Sequence, residues 1–435
     1  MPLAAFRSHF PHTERWAYLD HASIGPVPTP AFEAVTAHLA QRYHDEPNTF
    51  PTDEPILNRL KARIASLLGT TAARVEFAPN TSYALNVLAQ GFPWQPGDRV
   101  AIPEMEFPAN VYPFLELRRH GVEVDFIRCR DGQFTLADVE DALTPRTRIV
   151  AASWVQFLSG FRCDVAAVAA LAHDRGAFFS LDAIQGLGAL RLDVEAAGVD
   201  FLACGGHKWL MGMPGAGFLY ASEEMQALLA PTPGWLNGPI DWDDLRAAQD
   251  AMPLHPDASR FRVGTLNVSG LISLDASLGL LGSLDPAAAE AHVLAMRRRL
   301  ADGLDRLGLP RLGRWAPEHD AGIVTVAPET PEPLAAALEA AGVRVALRDR
   351  KLRFSPHVYT HPDEVDRALY VLRGALRQHT EHAARERETA RRLTDQPDPF
   401  PLDAPALSPS PSDDIDAALS GGLTLDSDAS DTDRP

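Results

Sequence analysis

Ser180-Leu-Asp-Ala-Ile-Gln-Gly186, followed shortly by Leu192-Asp-Val-Glu-Ala-Ala-Gly-Val-Asp-Phe-Leu-Ala-Cys-Gly-Gly-His-Lys-Trp-Leu210, is where the reading of this chain turns. Ala177–Leu181 and Val199–Cys204 read as β-strands, and Ile149-Val-Ala-Ala152 nearby is apolar at consecutive positions, as a strand buried on both faces is. Asp182 and Gln185 fall just past the C-terminal end of the first strand, and His207 and Lys208 just past the end of the second. In an open α/β sheet the loops at those strand ends meet over one crevice, so the four residues can converge there.

Working outward, further strands are expected at Val75–Ala78, Arg99–Ile102, Val122–Ile127, Arg148–Trp154 and Gly217–Tyr220. Helical spacing marks Ala109–His120, Leu136–Leu143 and Val165–Arg175 between them. This alternation predicts an α/β fold with a mostly parallel sheet covered by helices on both faces. Residues 231–270, rich in proline and glycine, are expected as loop. A long amphipathic helix, Pro286–Leu307, opens a second region. It has strands at Gly322–Val326, Val343–Ala346 and Leu352–Phe354, a helix at Pro333–Ala341 and a final helix from His361 to Leu393. The expected organisation is a large domain over 15–275, with an N-terminal arm 1–30 reaching its site, and a small α+β domain over 276–393. A tail, 394–435, follows. From Gln396 on, nine aspartates stand against Arg434 among proline, serine and glycine, a composition expected to be disordered.

The whole chain has 435 residues and a formal net charge of −18, which leaves no cationic surface for nucleic acid or anionic lipid. No apolar run is long enough to span a bilayer. Three cysteines, Cys129, Cys163 and Cys204, form neither a CxxC pair nor a metal-spaced cluster, so no disulfide framework and no metal is expected, and the cytoplasm is the expected compartment. The expected partner is a small molecule.

A lysine in a Gly-Gly-His-Lys turn is short of local partners. Desolvated in a cleft, it becomes an amine nucleophile toward an aldehyde. Asp182 makes chemical sense if that aldehyde is pyridoxal 5′-phosphate (PLP), because a carboxylate keeps the pyridine nitrogen protonated. Gln185 could then hydrogen-bond the ring's phenolic oxygen.

With these residues in view, the sequence resembles the class V aminotransferase family of fold-type-I PLP enzymes, which includes cysteine desulfurases, kynureninase and isopenicillin-N-epimerase-like proteins. The resemblance runs from about Tyr18 to Leu372 and implies a Schiff base on Lys208. It implies phosphate contacts from Thr81 and Ser82, in Pro79-Asn-Thr-Ser82, at the start of a helix expected at Tyr83–Gln90, and from His207. Phe107, in Glu104-Met-Glu-Phe-Pro-Ala-Asn110, stands where the family stacks a ring on the cofactor. Gly205 stands where desulfurases often carry a phosphate-binding serine. Thr265, in Arg262-Val-Gly-Thr265, resembles the loop that reaches a neighbouring subunit's phosphate, so a homodimer with shared sites is implied. Arg353, in Lys351-Leu-Arg-Phe-Ser-Pro-His-Val-Tyr359, matches the family's binder of the substrate α-carboxylate. His21, in Tyr18-Leu-Asp-His-Ala-Ser-Ile-Gly-Pro26, falls in the substrate-facing segment.

The stretch Ala341–Arg353 is short and has no cysteine, a departure from the persulfide-forming desulfurases. What the resemblance implies is an enzyme acting on a small amino acid through an external aldimine, with Lys208 then serving as the base at Cα. Transamination leads; a C–S lyase or desulfurase-like reaction, or epimerisation, shares the same first step. A non-catalytic PLP-fold binding protein is the alternative from another class.

Overall fold

The computed structural model describes residues 1–243 and 252–394. Residues 1–380 form one compact unit. The strands are β1 (Ala17–Tyr18), β2 (Val75–Ala78), β3 (Arg99–Pro103), β4 (Glu123–Ile127), β5 (Thr147–Ser153), β6 (Phe178–Asp182), β7 (Phe201–Gly205), β8 (Gly217–Ala221), β9 (Val324–Val326), β10 (Val343–Arg344), β11 (Ala346–Arg348) and β12 (Lys351–Phe354).

Seven of them make one sheet in the order β2-β8-β7-β6-β5-β3-β4. Only β8 runs against its neighbours. The architecture is the α/β fold expected of a PLP-dependent transferase of fold type I. Alternate residues of β5 show why its centre is apolar at consecutive positions: Ile149 and Ala151 pack into one hydrophobic cluster, Val150 and Ala152 into the other. Both faces are covered, which is the condition for a parallel sheet.

A third cluster is built around the antiparallel sheet β11-β12-β9 and the helices Pro286–Arg306, Pro331–Ala340 and Pro362–Thr394. The N-terminal segment joins it, because β1 pairs in parallel with β10 and Asp20 bridges to Ser355. Residues 17–25 thereby run between the two sheets. Gly25 lies so close to the turn after β7 that a Cβ there would sit 2.1 Å from the Lys208 carbonyl oxygen. Only glycine permits that approach.

Several expectations need correction. The helix over Ala109–His120 is broken into a 3-10 turn, one α-turn and a second 3-10 stretch, because Pro108 and Pro113 lack the amide protons that an unbroken helix needs. The strand over Val343–Ala346 divides into β10 and β11, which join different sheets. Three long helices, Thr29–His44, Phe50–Leu68 and Val268–Leu281, escaped the period reading, as did the short Leu3–Arg7 and Glu223–Leu228. The first buries Ala31, Val35 and His38 while exposing Phe32, Leu39 and Tyr43, the reverse of an ordinary amphipathic pattern. Val268–Leu281 buries Ser273, Asp275 and Ser277 along with its leucines. Among the described residues no single helix is long and apolar enough to cross a membrane. Apart from residue 394, the acidic segment 394–435 lies outside the described residues.

Candidate active site

The loops that follow β2, β3, β5, β6 and β7 converge on a cavity of about 510 Å³, closed on its other side by the N-terminal segment and the hairpin β11–β12. Asn80, Thr81, Ser82, Phe107, Asp182, Gln185, His207, Lys208 and Arg353 all line it. Larger and more open depressions lie along the helices Thr29–His44 and Phe50–Leu68, but neither carries a lysine.

At the floor, Asp182 ends β6 and is almost fully buried. One carboxylate oxygen accepts the Ile184 amide at 3.0 Å. Burial pushes its pKa up to about 7, with the Glu106 carboxylate adding to the rise and Lys208 opposing it. A cationic N–H brought to this carboxylate would restore its charge. Burial also brings the Lys208 amine down to about 8, so the nucleophilic neutral form is accessible near neutrality. Lys208 Nζ stands 5.7 Å from the centroid of the Phe107 ring. Phe107 is half exposed to the cavity and braced edge-on by Phe157. Gln185 donates to the Ala22 carbonyl and accepts from the Trp209 indole, leaving one amide proton unspent.

The helix Thr81–Gly91 begins at the wall of the same cavity as Lys208's loop. Asn80, not Thr81 or Ser82, is its N-cap, accepting the Tyr83 amide at 2.8 Å. The two hydroxyls are therefore released from capping. Thr81 Oγ1 is buried with no hydrogen-bond partner, a costly state for a hydroxyl unless a ligand answers it. Together with the free amides of the first turn and a His207 imidazole kept neutral by burial and by Lys208, it forms an anion cradle. A phosphate there, an aromatic ring beside Phe107 and a pyridine nitrogen at Asp182 fit these residues.

Arg353 is nearly buried on β12. It donates to the Phe157 carbonyl at 2.8 Å and to Ser23 Oγ at 2.7 Å, with Asp20 3.7 Å away, and its Nε proton has no partner. Those bonds orient the guanidinium and leave protons for a carboxylate.

Two expected residues are not brought to the cavity. His21 is fully buried, bonded to the Tyr359 hydroxyl at 2.7 Å and packed against His357 and Trp209; its neighbours Ala22 and Ser23 line the site instead. Thr265 lines a separate depression with Arg42, Asn48 and Phe50. No cysteine lines the cavity: Cys204 and Cys163 are buried in the core, where burial pushes both thiols up. Sequence reasoning missed Glu106. Its buried carboxylate accepts from the Ser153 amide, Ser153 Oγ, Gln156 and Asn110, and so fixes the loop that carries Phe107. The spacing of Glu106 and Asn110, four residues apart, was the available signal.

The family model for aminotransferase class-V matches residues 17–366. The chain belongs to the aminotransferase class-V family. It is a PLP-dependent enzyme, as the members of that family are. A probable cysteine desulfurase of Methanothermobacter thermautotrophicus is 31% identical over 70% of this chain and 78% of its own. The isopenicillin N epimerase of Streptomyces clavuligerus is 29% identical over 81% and 93%. The apo cysteine desulfurase of Thermococcus onnurineus superposes with a TM-score of 0.78 at 25% identity, covering 86% of this chain and 98% of that one. This class-V chain thus shares the fold of that solved relative over nearly its full length.

Proposed function

We propose that this class-V enzyme transaminates a small amino acid, held by its α-carboxylate on Arg353, with Lys208 both carrying PLP and moving the Cα proton. Bound PLP supplies an electron sink for heterolysis at Cα. Asp182 keeps the ring nitrogen charged, Thr81, Ser82 and His207 hold the phosphate, and Gln185 donates its spare amide proton to the phenolic oxygen. Arg353 fixes which Cα bond points at Lys208. Once free, the Lys208 amine takes that proton as general base and returns it as general acid.

The observation that carries this reading is that Lys208 and Arg353 face one cavity with Asp182, while the wall opposite the amine is Phe107 braced by Phe157. Neither ring can move a proton, which supports Lys208 as the single group that shuttles it. That suits a shift between neighbouring carbons and disfavours a two-base epimerisation. The absence of a thiol among the residues lining the cavity disfavours persulfide chemistry.

Purified holoenzyme given single amino acids without any keto acid tests the proposal. The expected result is one keto acid per active site, then arrest until an acceptor keto acid is added. Continuous release of ammonia or sulfide would mean elimination. Loss of optical activity with no keto acid would mean epimerisation. Failure to bind PLP at all would leave a non-catalytic protein.

The proposal includes a homodimer in which Thr265 serves the other subunit's cavity, supported by its place in a separate depression of its own chain and by the outward Phe32, Leu39 and Tyr43. Mixing inactive Lys208→Ala and Thr265→Ala subunits should then restore activity, because each mixed dimer regains one intact site. Sharing within one chain restores none.

A further inference from the structure

The hairpin β11–β12 places a second arginine in the cavity. Ala346 pairs with Arg353 and Arg348 pairs with Lys351, so all four side chains leave the same face. Arg348 and Arg353 are diagonal neighbours on that face, a separation that long side chains bridge. The register is pinned by a two-residue turn, Asp349-Arg350, with φ of 46° and 53°. Lys351 takes no part, since its ammonium is held by the carbonyl and carboxylate of Asp349. Arg348 lines the cavity and has no hydrogen-bond or ion-pair partner among the described residues.

The charges of the cavity wall are lopsided. Lys208, Arg348 and Arg353 face a single lining carboxylate, Asp182, which the cofactor's ring nitrogen takes up. Asp20, 3.7 Å from Arg353 and within electrostatic reach of Arg348, offsets one unit of that charge, so one guanidinium's worth remains. The cofactor phosphate belongs at the far end, on Thr81, Ser82 and His207. Two like charges on one hairpin face repel unless an anion answers them. An α-carboxylate answers Arg353, which leaves Arg348.

The geometry points to Arg348 as a specificity-determining residue that binds a second anionic group, at the end of the substrate's side chain. The substrate class is then an amino acid with a short acidic side chain, not a neutral one. This rests on the reading of Arg353 as the α-carboxylate site.

The test compares L-aspartate and L-glutamate with L-asparagine and L-glutamine on the holoenzyme, following the visible spectrum and initial rates in the parent, Arg348→Met and Arg348→Lys. One acidic amino acid should saturate at lower concentration than its amide. Arg348→Met should raise its half-saturation about tenfold, about 1.4 kcal/mol, and leave the amide within about twofold. Arg348→Lys should recover part of the loss, and added salt should weaken the acidic substrate selectively. Equal losses for acid and amide would show that Arg348 shares the α-carboxylate with Arg353, and unchanged constants would remove it from the site; either result overturns the inference while leaving the Arg353 reading intact. If Arg353→Met leaves every half-saturation unchanged, the Arg353 reading fails, and this inference with it. An unchanged melting temperature verifies that the Arg348 variants fold.

Discussion

The wall bearing Asp182, Gln185 and Lys208 and the wall bearing Ser23, Arg348 and Arg353 enclose one cavity but are made differently. The first consists of residues at the ends of adjacent parallel strands or three positions past them. Its geometry follows from the sheet, and any sequence that forms β6 and β7 brings those side chains together. The second is assembled from segments more than 300 residues apart, joined by the β1–β10 pairing and the Arg353–Ser23 bond. Under the proposed function, sheet geometry serves the cofactor and the long-range assembly serves the substrate. The difference predicts that substitutions in the first wall abolish chemistry, whereas those in the second redistribute it among substrates.

Lys208→Ala is the sharpest test. Activity should fall by roughly a thousandfold or more, and borohydride reduction should no longer trap the cofactor on the chain, as mass spectrometry would show. A cofactor still trapped in this variant would place the attachment elsewhere and dissolve the first wall. Asp182→Asn should follow, with kcat lower by roughly a hundredfold while the cofactor remains bound, because only charge is removed at a site where charge acts on the ring. A kcat within severalfold of the parent would detach Asp182 from the chemistry.

Arg353→Lys probes the second wall. Lysine keeps the charge but loses the planar fork and the bond to the Phe157 carbonyl, so KM should rise by roughly tenfold to a hundredfold with a smaller change in kcat. A fall in kcat with KM unchanged would mean that the two walls do not divide their labour.

The amine at Lys208 also gives a pH signature. With its pKa brought down to about 8 by burial, the neutral form rises about tenfold between pH 7 and 9. The rate at which apoenzyme captures PLP should climb over that interval and level off above it. The same shift means that the unfolded chain holds a proton the folded one has released between pH 8 and 10.5, so apoenzyme stability rises with pH across that window. A capture rate still climbing steeply at pH 10 would show that the amine is not desolvated.

How much of this was legible in the sequence follows the same division. The strand ends and the Asp182, Gln185, His207 and Lys208 set were readable, because apolar runs and turn glycines lie next to the residues they position. Thr81 and Ser82 were readable as a helix start, although not that Asn80 would take the capping and leave Thr81 Oγ1 unanswered. Arg348 and Ser23 were not, since only the pairing of β11 with β12 and of the N-terminal segment with the small sheet turns them inward. His21 misled for a related reason. In a stretch that runs between two sheets, side-chain direction is set by packing against His357 and Trp209, which no local pattern reports. The exposed face of Thr29–His44 inverted the usual rule, because its large apolar residues point away from the core.

Phe107 gives the smallest effect and the finest test of the first wall. Its position is owed to Glu106, whose buried carboxylate ties the loop to Ser153, Gln156 and Asn110, and not to strand geometry alone. Stacking of one aromatic ring is worth about 0.5–1.5 kcal/mol beyond the area it covers. Phe107→Leu, which keeps most of the apolar bulk, should therefore weaken PLP binding by roughly twofold to tenfold and leave the covalent attachment intact. Glu106→Gln should reproduce that loss without touching the ring, because an amide offers one acceptor oxygen where the carboxylate offers two, so a donor among Ser153, Gln156 and Asn110 is left unmatched. Equilibrium dialysis of both variants measures this directly. Matching losses would show that the loop, held from beneath, positions the ring. A loss in Phe107→Leu alone would mean that the ring finds its place without Glu106, and a larger loss in Glu106→Gln would make the carboxylate a support for Asp182 as well.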